Sequence, residues 1–231
     1  MRWVVFNLLL FGILNGSSLQ EGLELFNQKR YQEAFKILLP YAKEGDGRAQ
    51  MAIGIIYDMG PINLMDKAKA VKWYIKAAKK GIPRAQYDLG VMYSKGEGID
   101  KNLTKALNWY LKAAKGGFAP AIYNLGVIYE RGYGVKKDIN RSIFYYKKAI
   151  DLNISNASYN LALLYLKGNY LKKDIKKAIE LLKNAAIRGH KKAALVLSKI
   201  LNSKEAKMWY LKAHCDLNLD QMMEIIKNFQ R

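Results

Sequence analysis

With 231 residues, 51% of them hydrophobic, the chain has enough apolar surface for a continuous core, and four prolines fit an all-helical fold. Its 39 Lys and Arg against 19 Asp and Glu leave a net charge of +20, a field that attracts anionic polymers, membrane headgroups or acidic partners without specifying a fold. One cysteine, Cys215, excludes an internal disulfide framework.

In chain order, residues 1–18 read as a secretory leader. Arg2 supplies a minimal positive region, residues 3–14 a nearly unbroken apolar run too short to span a bilayer comfortably, and Gly16, Ser17 and Ser18 the small residues before a cut after Ser18. Export to a bacterial periplasm, or secretion beyond it, is expected. Residues 19–45 form a shortened first unit, an N-terminal capping repeat, with Leu23, Phe26, Ala34, Leu38, Tyr41 and Ala42 at helical spacing.

Five units then follow, at 46–81, 82–117, 118–153, 154–189 and a shortened 190–217. Their marker is an alanine recurring every 36 residues, as Ala49, Ala85, Ala121, Ala157 and Ala193. Four positions later stand Ile53, Leu89, Leu125, Leu161 and Leu197, each followed by a small residue: Gly54, Gly90, Gly126, Ala162 and Ser198. Tyr57, Tyr93, Tyr129 and Tyr165 come next, then Gly60, Gly96, Gly132 and Gly168.

The spacing of Ala85, Leu89 and Tyr93 places them on one face of a helix, here called helix A of the repeat, with Gly90 beside them where another backbone can approach closely. Glycines such as Gly96 and Gly98 end it in a loop. Asp66, Asn102, Asp138 and Asp174 are predicted N-caps of helix B, in which Ala106, Tyr110, Ala113 and Ala114 face inward. Gly81 and Gly117 are predicted to end helix B, with Lys76, Lys79, Lys112 and Lys148 near its negative pole. Two short helices cannot bury both their faces alone, so neighbouring pairs must stack. Residues 218–231 are expected to hold an amphipathic helix capping the stack.

The pattern A-x-x-x-L-G-x-x-Y-x-x-G-x-G, followed by a capping Asp or Asn and then A-x-x-W-Y-x-x-A-A-x-x-G, resembles the Sel-one-like repeat family, related to the tetratricopeptide repeats. The resemblance implies an all-α, right-handed α/α superhelical solenoid of antiparallel helix pairs, with adaptor roles in cell-envelope biology or host interaction. This sequence departs from the pattern at Ile62 and Tyr170, which replace the second loop glycine, and at Leu181 and Leu182, which replace the aromatic pair. In the fifth unit Trp209 and Tyr210 arrive 28 residues after Leu181 and Leu182, about two helical turns early.

No constellation of residues points to chemistry. The loop glycines repeat with the fold and do not open a phosphate loop. A metal site would require His190, His214 and Cys215 to converge, which no spacing recommends, and neither metal nor cofactor is expected. Asp138 and Asp174 could be imagined as paired carboxylates, but each is already spoken for as a helix cap.

Opposite the Ala85–Leu89–Tyr93 stripe lie Arg84, Tyr87, Val91, Ser94 and Lys95, and the same face recurs as Arg48, Met51 and Ile55, as Tyr123, Val127 and Arg131, and as Tyr159, Leu163 and Lys167. In the family it resembles, helix A lines the concave side. These residues would then form a partner-binding groove, unless the tyrosines pack one helix A on the next. The expected function is a non-enzymatic exported scaffold for a protein or peptide, an acidic partner being favoured by the charge; nucleic acid is not an expected partner, because no recognition motif accompanies the charge. The alternative is a cell-wall ligand binder or β-lactamase-like protein, as in a cysteine-rich bacterial branch of the family. Where that branch carries bridging cysteines this chain has Ala114, Ile122, Ile150 and Ser158, and Ser142, Ser155, Ser158 and Ser198 have no lysine or histidine that the sequence sets beside them.

Overall fold

The computed structural model describes residues 18–201, 203–214, 220 and 221. Apart from Ser18, the expected leader lies outside the described residues, and so does the expected C-terminal capping helix apart from Asp220 and Gln221. Among the described residues there are twelve helices and no strand: α1 Leu19–Asn27, α2 Tyr31–Glu44, α3 Gly47–Met59, α4 Lys67–Lys79, α5 Pro83–Lys95, α6 Leu103–Lys115, α7 Ala119–Arg131, α8 Ile139–Asp151, α9 Ser155–Lys167, α10 Ile175–Ile187, α11 Lys191–Ile200 and α12 Ser203–His214. Helices adjacent in sequence pack as pairs, α3 with α4, α5 with α6, α9 with α10 and α11 with α12. The architecture is the all-α solenoid type that the repeat implies. Contacts divide the chain into two compact units, residues 1–121 and 122–231.

The same local devices make each repeat. Asp66, Asn102, Asp138 and Asp174 cap α4, α6, α8 and α10, their side-chain oxygens accepting from the N–H groups of Lys69, Lys105, Arg141 and Lys177 at 2.8–2.9 Å. The backbone N–H of each capping residue donates in turn to the carbonyl of Tyr57, Tyr93, Tyr129 or Tyr165, which closes the loop. Where helix B ends, Gly45, Gly81, Gly117 and Gly189 take positive φ, and Asn153 fills the same place at φ 63°. The following residue (Asp46, Ile82, Phe118, Ile154 or His190) donates back five residues to a helical carbonyl, so each chain reversal is a Schellman turn.

The core follows the 36-residue marks: the five recurring alanines, the Ile or Leu four places on, and Ala70, Ala106, Ser142 and Ala178 are all buried. Two sequence expectations change in detail. What approaches the helix-A glycine most closely is a tyrosine ring: a Cβ on Gly54, Gly90 or Gly126 would come within 2.7, 2.9 and 2.5 Å of Tyr74, Tyr110 and Tyr146. In the shortened last repeat the aromatic register is reversed, Trp209 being 3% and Tyr210 53% exposed, whereas Tyr74, Tyr110 and Tyr146, the second members of their pairs, are the buried ones.

The helix A faces as candidate functional site

In the first unit the predicted face lies on α3 and α5. Arg48 is exposed 3.9 Å from Asp46, Met51 turns into the core beside Val71 and Tyr74, and Ile55 is half-buried against the same cluster. On α5, Arg84 donates to Asp88 at 3.0 Å, Val91 is half-buried, and Lys95 is exposed 3.3 Å from Glu97. Tyr87 is half-buried, its ring 5.7 Å from that of Tyr110 and 5.1 Å from that of Phe118. Beneath them, the Tyr74 hydroxyl donates to Asp58 at 3.1 Å, and Lys67 pairs with Asp58 and, at 3.5 Å, with Glu97. Burial holds the Asp88 carboxyl above the usual carboxylate range, against the pull of Arg84 and with a smaller push from Asp58. Burial, then the charges of Asp88 and Asp58, raise the Tyr74 phenol, so it remains a donor.

In the second unit the face lies on α7 and α9. Val127 and Leu163 are half-buried, and Arg131 and Lys167 are exposed, Arg131 donating to the Tyr133 hydroxyl at 3.2 Å. The amide of Asn160 donates to the hydroxyls of both Tyr123 and Tyr146 at 3.2 Å, while Tyr146 donates to Glu130 at 2.6 Å. Tyr159 stacks on His190 with ring centroids 4.4 Å apart. The tyrosines of this face therefore each rest on a side chain from outside their own helix, and the exposed positions around them are basic.

Sequence reasoning missed the polar ladder under the face. Its acceptors Asp58, Ser94 and Glu130 are 36 residues apart and serve Tyr74, Tyr110 and Tyr146; in the next repeat the same two places hold Leu166 and Leu182. That exchange of a polar pair for an apolar pair was the available signal. Also missed was the role of His190, which is half-buried and caps α11 by accepting from the Ala193 N–H at 3.1 Å. Burial lowers its pKa, consistent with the neutral ring that a cap acceptor needs.

Two of the serines have structural partners. Ser158 is buried and donates to Asn184 at 3.0 Å, and Ser198 donates to the Leu195 carbonyl at 2.8 Å. Asp138 and Asp174 are the helix caps described above. Cys215 lies outside the described residues, and among those described no group of three His, Cys, Asp or Glu is placed to hold a metal. Among the described residues no helix is long and apolar enough to cross a membrane.

The Sel1 repeat family model matches residues 47–82, 83–118, 119–154, 155–190 and 197–213. The structure is similar to that of a Sel1 repeat protein from Oxalobacter formigenes, 30% identical over 92% of this chain and 88% of that one, with a TM-score of 0.77. It is also similar to c5321, a protective antigen of uropathogenic Escherichia coli displaying an SLR fold, with a TM-score of 0.80, 23% identity and 90% of this chain covered; the match spans 48% of the antigen, about half its length. Immunity protein Pa5087 from Pseudomonas aeruginosa shares the fold at a TM-score of 0.54 and 20% identity, over 90% of this chain and 80% of that one. No curated protein matches the sequence. By the repeats that fill most of its length, and by the helix pairs they form, the chain belongs to the Sel1-repeat family.

Proposed function

We propose that this Sel1-repeat scaffold is an exported, non-enzymatic protein that holds acidic protein or peptide segments on the helix A faces of each unit, α3 and α5 in the first and α7 and α9 in the second. The observation carrying the reading is the recurring composition of those faces: half-buried tyrosines at Tyr87, Tyr123 and Tyr159, edged by exposed Arg48, Arg84, Lys95, Arg131 and Lys167. Aromatic rings held at low entropic cost with cations at their edge are what protein-binding surfaces are enriched in. The apolar run and small residues within 1–18 support export to the periplasm or the medium.

Affinity capture from an envelope extract tests the reading, comparing the wild-type chain with the variant Arg48→Glu/Lys95→Glu/Arg131→Glu/Lys167→Glu. These four side chains are exposed, so the variant should melt as the wild type does yet lose a partner that the wild type retains. A partner kept equally by both would remove the helix A faces from the account.

A further inference from the structure

One side of α4 carries a second candidate surface. Lys69, Lys72, Lys76 and Lys79 recur at helical spacing on one side of the helix and, with Trp73 and Ile75, line a shallow depression of about 460 Å³. The Lys76 ammonium lies 4.1 Å from the centroid of the Trp73 ring. Lys69 pairs with Asp66 at 3.0 Å, but among the described residues Lys72, Lys76 and Lys79 enter no ion pair.

Immediately before this helix, residues 59–65 depart from the rest of the repeat. The corresponding loops at 95–101, 131–137 and 167–173 all contain charged side chains, whereas 59–65 contains none. Instead it exposes Met59 by 59%, Ile62 by 87% and Met65 by 49%. An uncharged apolar loop next to a lysine-lined helix is the combination that holds peripheral proteins to anionic bilayers: the apolar side chains enter the headgroup boundary while lysines meet lipid phosphates. The cations are lysines, flexible point charges that suit a diffuse anionic surface better than one shaped carboxylate site.

We infer that the loop 59–65 and the lysine face of α4 form a docking surface for anionic phospholipid headgroups. The test is partitioning of the full-length chain onto phosphatidylcholine vesicles with and without about 30% phosphatidylglycerol. Neutral vesicles measure any binding that is independent of lipid charge. The increment due to anionic lipid should fall at least about tenfold in Lys69→Gln/Lys72→Gln/Lys76→Gln/Lys79→Gln and less than about threefold in Lys172→Gln/Lys173→Gln/Lys176→Gln/Lys177→Gln, which removes equal charge from the second unit. Ile62→Ser/Met65→Ser should weaken binding to the anionic vesicles at high salt, where the lysines are screened. Equal losses from the two quadruple variants would overturn the proposal in favour of undirected charge. Binding of soluble polyglutamate through the same lysines, without an increment on anionic vesicles, would overturn it in favour of an acidic protein. Circular dichroism melting of each variant separates lost binding from lost fold.

Discussion

At the scale of single residues, paired positions within a repeat change together. Gly90 has room only for hydrogen because the Tyr110 ring lies on it, whereas the corresponding places hold Ala162 and Leu182, both buried in one core cluster. Gly90→Ala gains helix propensity but drives its methyl against the ring, so a net loss of about 1–2 kcal/mol is expected. In a Tyr110→Leu background the cost of the same change should fall below about 0.5 kcal/mol, which a double-mutant cycle from urea unfolding would show. Ser142 is buried where other repeats have alanine, and its hydroxyl has no hydrogen-bond partner; Ser142→Ala should therefore raise stability by about 1 kcal/mol in the same assay. His190 predicts a pH dependence. Burial makes it less basic in the folded chain than in the unfolded one, so the unfolded chain takes up the proton first as pH falls. Its contribution is complete above the ordinary histidine range, declines as pH drops through about 6.5, and levels off below the folded-state pKa. The thermal midpoint should drop less on acidification in His190→Asn, which keeps a cap acceptor without the titration; an unchanged slope would rule out His190 as its source. The sequence shows the 36-residue marks but not these pairings, because Gly90 and Tyr110 carry no local sign of which ring meets which glycine.

At the scale of elements, more was legible. Asp66, Asn102, Asp138 and Asp174 stand just before periodic runs, and each caps the helix that follows, because a side-chain acceptor there satisfies an otherwise orphaned N–H. Asp138→Ala should cost about 1 kcal/mol by removing that acceptor from α8, measurable as a lower urea midpoint at unchanged slope. The loop glycines are legible as breakers, but their division of labour is not. Gly96 ends α5 with a left-handed turn, while Gly98 lies against the Lys67 backbone, where a Cβ would come within 2.4 Å of the carbonyl. Such a contact between residues 31 positions apart leaves no trace in local periodicity. The reversed order of Trp209 and Tyr210 leaves no local sign for a similar reason: a 28-residue spacing in place of 36 changes which side of α12 is buried, and only packing decides the new register.

At the scale of the molecule, both units are built from one kind of helix pair, and each has a helix A face that is neither wholly core nor wholly solvated. Periodicity revealed which residues share that face. It could not separate packing from recognition, since a half-buried tyrosine satisfies both descriptions; the structure shows Tyr87, Tyr123 and Tyr159 in contact with rings beyond their own helices while basic neighbours remain exposed. Replacing the tyrosines would thus test folding as much as binding, and the lysines at the edge are the better reporters. Covalent labelling of lysines in the free chain and in its complex with the captured partner addresses the central claim most directly. The account predicts that the partner shields Lys95 and Lys167 while Lys112 and Lys148 on helix B stay as reactive as before. Shielding of Lys112 and Lys148 with Lys95 and Lys167 left open would contradict it.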